Sequence, residues 1–267
     1  MTDNRPIGVC DSGIGGLSVF SKVERLLPDE KFVYFGDTAN IPYGTKSAEE
    51  LHEITKRTMN FFRAKNVKAV ILACNTISAV LYDKLREEND FTIYPVLQTS
   101  IKMLAKTEKL HSVGVLATET TVSSHAYANE LKKNIPGVKV FEHGCPGSWV
   151  KTVEGNLPQT PENLELIRVH LDEVLKYSPD KIILGCTHYP YLMRFLAHFA
   201  EDGIFINPAL YCSKFVEEDL RTRGMLASEK PSKTEFYTSS EPEKFRTSAE
   251  VFYPLLKTPT QINTEDY

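Results

Sequence analysis

The chain has 267 residues, of which 42% are hydrophobic and 25% charged, and its 31 Lys and Arg against 35 Asp and Glu leave a formal net charge of −4. That length suggests about two domains, and the composition excludes disorder as the main state as well as a collagen-like or low-complexity chain. The apolar run over 69–74 is far short of the roughly 18 residues that a membrane helix needs. No Lys/Arg-dense block offers a basic stripe to phosphates, so neither a membrane nor a nucleic acid is expected as a partner.

Taken in chain order, a strand over 6–10 leads into a helix over 16–27, then a strand over 32–35 and a helix over 48–65. A strand over 69–73, a helix over 77–88 and strands over 93–96 and 112–116 follow. The pattern continues with a helix over 121–133, a strand over 138–141, a helix over 161–175, a strand over 181–184, a strand over 204–206 and a helix over 209–221. This alternation predicts an α/β fold with mainly parallel sheets covered by helices, joined by right-handed crossovers. The first residues carry an acid and no basic segment followed by a long apolar one, so no secretory signal is read. Cysteines at 10, 74, 145, 186 and 212 are odd in number and widely spaced, without a C-x-x-C pair. They form neither a disulfide framework nor a zinc site. A cytoplasmic protein with reduced thiols is expected.

The chain repeats itself. Ala69-Val-Ile-Leu-Ala-Cys74-Asn-Thr76 lies over Lys181-Ile-Ile-Leu-Gly-Cys186-Thr-His188, and Ile7-Gly-Val-Cys-Asp-Ser12 lies over Val113-Gly-Val-Leu-Ala-Thr118. Two matches in the same order at nearly the same offset imply two similar α/β halves. Ligands of open α/β sheets bind beyond the carboxyl ends of the strands, and Cys74 and Cys186 both fall at that edge, one per half. A lone cysteine at a strand end is most simply a small buried hydrophobe. These two are instead followed by Asn75-Thr76 and Thr187-His188, and paired thiols facing one cleft suit removal of a proton from one face of a carbon and its return to the other.

Other candidates gather at the same edge. Asp11-Ser-Gly-Ile-Gly-Gly16 follows the first strand and opens a helix, which suits an anion and offers a carboxylate for an ammonium group. It matches neither common nucleotide fingerprint. Gly36-Asp-Thr-Ala-Asn40 runs on to Ile41-Pro42-Tyr43-Gly44, a turn by its Pro and Gly, which would set Tyr43 and the Gly44 N–H against a ligand carboxylate. His188 stands two residues beyond Cys186, where it can tune the thiol or carry a proton. Cys10, Cys145 and Cys212 read as packing residues, and the other histidines lack metal-ligand spacing, so no metal site is expected.

These motifs resemble the glutamate racemases of the aspartate/glutamate racemase superfamily. The resemblance rests on Asp11-Ser-Gly-Ile-Gly-Gly-Leu17, Gly36-Asp-Thr38, Pro42-Tyr-Gly44, Ala73-Cys-Asn-Thr76 and Gly185-Cys-Thr-His-Tyr-Pro190, with Phe236-Tyr-Thr-Ser239 and Phe245 further on, and it runs from residue 7 to about 253. It implies a cofactor-independent enzyme that interconverts L- and D-glutamate by two-base proton transfer and supplies D-glutamate for peptidoglycan. Cys74 would deprotonate D-glutamate and Cys186 L-glutamate, with Asp11, His188 and Glu154 assisting. Asp11, Ser12, Pro42, Tyr43, Gly44, Asn75, Thr76, Thr187 and His188 would hold the substrate. The resemblance also implies a homodimer, with residues 1–98 plus 208–267 as one domain, 99–207 as the other, and the site in the cleft between them.

Some positions depart from the family pattern. Asn207-Pro208 replaces a common Asp-Ser-like pair, Asn40 stands where Arg is frequent, and Trp149 and Lys151 fall in a stretch that is usually more aliphatic. Two other readings compete: a racemase of another small acidic amino acid such as aspartate, and a non-catalytic two-lobed amino-acid-binding module. The second has no need of opposed thiols.

Overall fold

The computed structural model describes residues 2–228, 233–250, 253, 254 and 256–267. The first half of the chain forms β1 (Ile7–Asp11), α1 (Leu17–Leu26), β2 (Phe32–Gly36), α2 (Ala48–Ala64), β3 (Ala69–Leu72), α3 (Asn75–Glu88), β4 (Thr92–Pro95) and α4 (Val96–Thr107). It continues with β5 (Ser112–Thr118), α5 (Glu119–Ser123), α6 (Ala126–Asn134), β6 (Lys139–Cys145), α7 (Gly147–Glu154), α8 (Pro161–Leu175), β7 (Lys181–Gly185), α9 (Met193–Leu196) and β8 (Phe205–Ile206). The chain then returns through α10 (Pro208–Thr222), β9 (Glu235–Thr238), α11 (Pro242–Ala249) and β10 (Thr260–Gln261).

The described strands form two sheets, ordered β10-β9-β2-β1-β3-β4 and β6-β5-β7-β8. Every pairing in both is parallel, as the alternating sequence pattern requires. The second sheet repeats the order β2-β1-β3-β4 strand for strand, and the first is extended at its β2 edge by β9 and β10 from the end of the chain. Within 208–267, residues 229–232, 251, 252 and 255 lie outside the described residues, and the sequence resemblance drawn to about 253 runs across some of them.

The repeat has a packing cause. A Cβ on Gly8 of β1 would stand 2.7 Å from the Phe62 ring of α2, and one on Gly114 of β5 would stand 2.1 Å from the Val174 side chain of α8. At equivalent places in the two central strands, glycine lets a helix close directly onto the sheet. The period-2 alternation of the strands then sorts side chains to the two faces. Ile182 and Leu184 lie with Cys186 on the α8 side of the second sheet. Val70 and Leu72 lie with Cys74 on the corresponding α2 side of the first. The two thiols therefore leave their strands on equivalent faces.

Three features differ from the sequence reading. The helix expected over 121–133 is two helices, α5 and α6, because His125 adopts a left-handed conformation with φ 52° between them. Ser124 Oγ, which accepts from Ala126 N and donates to Thr121 O, satisfies backbone groups left over by that break. Second, α4 begins where a strand was read to end, at Val96, so the expected boundary at 98/99 falls inside a helix. Third, several strands run further toward the carboxyl edge than the sequence suggested, most of all β6, which reaches Cys145. The departure at 207–208 has a local role: Asn207 caps α10 by accepting from Ala209 N at 3.0 Å, and Pro208 occupies the first turn. Among the described residues, no helix is long and apolar enough to cross a membrane.

At the opposite edge of the first sheet, a buried ion pair joins distant segments. Lys68 Nζ lies 2.6 Å from Glu30 Oε2, with both side chains excluded from solvent. The same ammonium donates to the Asp3 carbonyl at 2.6 Å and the Met225 carbonyl at 2.7 Å, while Glu30 Oε1 accepts from Ala227 N. The N-terminal segment, the lead-ins to β2 and β3, and the chain after α10 meet at this one point. Lys68→Met leaves the Glu30 carboxylate buried without its cation, which costs about 3–5 kcal/mol. Chemical denaturation is expected to show that loss, with part of it recovered in the Glu30→Leu/Lys68→Met double variant.

Candidate active site

The carboxyl ends of the two sheets border one cavity of about 410 Å³, whose wall includes Ser12, Pro42, Tyr43, Gly44, Cys74, Asn75, Thr76, Glu154, Cys186, Thr187 and His188. Of the residues anticipated from the sequence, Asp11 alone is not on that wall. It sits behind it, buried at the end of β1. Asp11 Oδ1 accepts from Gly13 N at 3.0 Å, and Oδ2 accepts from Thr187 Oγ1 at 3.3 Å. The second of these bonds crosses from the first sheet to the end of β7. Burial raises the Asp11 carboxyl above the usual carboxylate range, opposed by the charge of His188 and by the N–H groups of Gly13 and Gly16.

Cys74 stands between β3 and α3 with extended backbone (φ −65°, ψ 121°), directly before the helix start. Asn75 and Thr76 form the first turn of α3, so their N–H groups have no intrahelical partner and bring the positive end of the helix to the cavity. Burial and the Asp11 carboxylate push the Cys74 thiol up to about 12, against the N–H groups of Ile77 and Thr76. The Asn75 side chain is fixed from the second half, where Tyr127 Oη donates to its Oδ1 at 2.6 Å.

Cys186 follows β7 directly, and its Sγ lies 3.8 Å from Nδ1 of His188. The other ring nitrogen, Nε2, lies 3.1 Å from Glu154 Oε1 at the end of α7. Burial alone would lower the His188 pKa, but the Cys186 sulfur and the Glu154 carboxylate outweigh it and hold the imidazole up at about 10. The Cys186 sulfur and the Glu154 carboxylate thus flank the imidazole, whereas the Asp11 carboxyl acts on Cys74. The two thiols sit in equivalent places and in different surroundings.

Some wall residues were not read from the sequence. Thr118, at the end of β5, forms a hydroxyl cluster with Thr76 and Thr121, at 3.3 Å between Thr76 and Thr118, 3.4 Å between Thr76 and Thr121, and 2.9 Å between Thr118 and Thr121. The internal repeat held the signal, since it sets Thr118 opposite Ser12. Cys145 was read as a packing residue; it is buried among apolar side chains, but it also borders the cavity. The long β6 carries it level with Thr118. Glu119, Val150 and Lys151 complete part of the wall. Among the described residues, no group of three His, Cys, Asp or Glu side chains is arranged to hold a metal ion.

Comparison with known proteins identifies the family. Residues 7–200 match the model of the Asp/Glu/Hydantoin racemase family. The chain belongs to that family. Within it the chain falls among the glutamate racemases, and it is an isomerase. It is 37% identical over 250 residues to glutamate racemase 2 of Caldanaerobacter subterraneus subsp. tengcongensis, covering 93% of each chain. The crystal structure of glutamate racemase from Francisella tularensis in complex with D-glutamate superposes with a TM-score of 0.89 at 33% identity, covering 99% of this chain and 100% of that one. A glutamate racemase isoform from Bacillus anthracis gives a TM-score of 0.92 at 30% identity over 98% of both.

Two predictions concern the seam between the halves of this racemase. A Cβ on Gly15 would stand 2.5 Å from Thr187 Oγ1 and 2.6 Å from the His188 ring, so Gly15→Ala must part the walls at the candidate site. Overpacking of about 1–3 kcal/mol then falls on the closed arrangement, and kcat/KM is expected to drop about tenfold or more while circular dichroism stays native. The second concerns pH. An imidazole that titrates near 6.5 when unfolded and near 10 when folded contributes stability that is fully present below 6.5 and lost as pH rises through 10. Denaturation midpoints of the wild type and Glu154→Gln should accordingly differ at pH 6 and approach each other at the alkaline end.

Proposed function

We propose that this racemase interconverts L- and D-glutamate by moving the α-proton between Cys74 and Cys186. One observation carries the reading: two cysteines at equivalent positions of two like-ordered parallel sheets border a single cavity. In one direction the Cys186 thiolate takes the proton from Cα and becomes a thiol, and the Cys74 thiol gives its proton to the opposite face and becomes a thiolate. The reverse reaction exchanges these roles. His188, oriented by Glu154, lies beside the Cys186 sulfur and can pass a proton to or from it. On the other side, Asp11 acts from behind the wall, where it holds Gly13 and Thr187 and lies near enough to Cys74 to raise its thiol pKa. With the family's assignment of faces, Cys186 acts on L-glutamate and Cys74 on D-glutamate.

The α-proton of an amino acid is very weakly acidic, so negative charge spreading onto the α-carboxylate needs preorganised donors. Ser12, the first turn of α3 at Asn75 and Thr76, and Thr187 provide hydroxyls and N–H groups for it. Pro42, Tyr43 and Gly44 face the second carboxylate from the loop after β2. Proton balance in this scheme calls for no cofactor and no metal. Segments 1–98 plus 208–267 and 99–207 act as two domains that close around the substrate, and closure excludes water and strengthens those contacts. The protein works as a cytoplasmic homodimer, and its D-glutamate enters peptidoglycan.

The test is α-proton exchange in D₂O followed by NMR, with L-glutamate, D-glutamate and L-aspartate supplied separately. Exchange of both glutamate enantiomers, with appearance of the opposite one, is expected for the wild type. Cys74→Ser and Cys186→Ser should each lower turnover by about 10³-fold or more with the fold intact. Near-normal turnover in either variant overturns the two-thiol scheme, and exchange of aspartate alone overturns the substrate.

A further inference from the structure

We propose that Ser239, directly after the strand β9 that returns from the end of the chain, acts through Asp37 to position the substrate loop, so that Tyr43 faces the substrate with its hydroxyl proton already committed. The inference rests on the reading that residues 42–44 receive a substrate carboxylate.

Asp37 follows β2 directly, is buried and does not border the cavity. Its carboxylate accepts from three side chains. Ser239 Oγ donates to Oδ1 at 2.7 Å, Tyr43 Oη donates to Oδ2 at 2.7 Å, and Asn40 Nδ2 lies 3.0 Å from both oxygens. Ser239 holds the loop twice, because its Oγ also accepts from Ala39 N at 2.8 Å. The next side chain on the loop is fixed in the same way. Thr38 Oγ1 lies 2.7 Å from Thr238 Oγ1 and 2.8 Å from the Ser240 carbonyl. Behind these contacts β9 is zipped in parallel onto β2, with Gly36 level with Thr238.

A phenol has one proton to donate. With that proton on Asp37, Tyr43 presents its ring and the neighbouring backbone to an incoming carboxylate, and the N–H of Gly44 remains as a donor. The carboxylate of Asp37 is buried and satisfied by three side-chain donors. Ser239 is thus a positioning residue about 200 residues away in sequence from the loop it sets. Asn40, one of the positions where this chain departs from its relatives, supplies the third donor to the same carboxylate.

Steady-state kinetics on the full-length chain test this. Ser239→Ala is expected to raise KM for D-glutamate about tenfold, the scale of one lost hydrogen bond to a charged group, with kcat within about twofold. Ser239→Thr, which keeps the hydroxyl, should restore KM. Tyr43→Phe removes the donor at the other end of the bracket, so its effect and that of Ser239→Ala should be non-additive in the double variant. Unchanged KM in Ser239→Ala, or effects that multiply, overturns the proposal. A second readout does not depend on turnover: 3-fluorotyrosine at position 43, followed by fluorine NMR. Its resonance should shift in Ser239→Ala and return in Ser239→Thr, and an unmoved resonance refutes the bracket. If the wild type fails to racemise glutamate, the functional reading falls while the fluorine signal still decides whether Ser239 sets Tyr43.

Discussion

The site depends on how closely the carboxyl edges of the two sheets approach each other. Gly15 has no room for a Cβ against Thr187 and His188, and Thr187 donates across the seam to Asp11. Each sheet by itself would leave its cysteine at an open edge. Brought together, they enclose a cavity in which burial raises the cost of any unbalanced charge, and that same cost makes each charged neighbour effective.

Two like-ordered sheets give two equivalently placed thiols whose surroundings differ. The difference comes from what each half adds to the common scaffold. The first contributes Asp11 at the end of β1, an anion near Cys74. The second contributes His188 beside Cys186 and, from the end of α7, Glu154, which holds the other ring nitrogen. The repeat fixes position, and these additions set the surroundings.

The end of the chain is part of the same design. β9 extends the first sheet beyond β2, and its last residue Thr238, with Ser239 and Ser240 just after it, holds the loop after β2. On the far edge, Lys68 and Glu30 fasten the chain after α10 to the N-terminal segment. The return segment is thereby anchored at both ends of the first sheet, which steadies the loop carrying Tyr43 and Gly44.

Much of this was legible in the sequence, because it is encoded by short-range rules. Apolar β-branched runs specify buried parallel strands, and the helical patterns over 161–175 and 209–221 mark two of the helices. The repeated Cys-containing strand ends pointed to a common edge, and the family motifs named the wall residues. Other features were decided only by the tertiary structure. The break at His125, the start of α4 at Val96 and the reach of β6 to Cys145 each depend on what packs against the segment rather than on its own pattern. The Asp37–Ser239 contact joins residues 202 positions apart, and the Asp11–Thr187 bond joins residues 176 apart. Sequence periodicity reports which face a side chain takes, whereas a hydrogen bond across the fold forms only after loop-closure entropy has been overcome by the whole core. The sequence by itself therefore determined which groups reach the carboxyl edges, and the folded chain decided which of them meet, at what distance, and with which charge beside each sulfur.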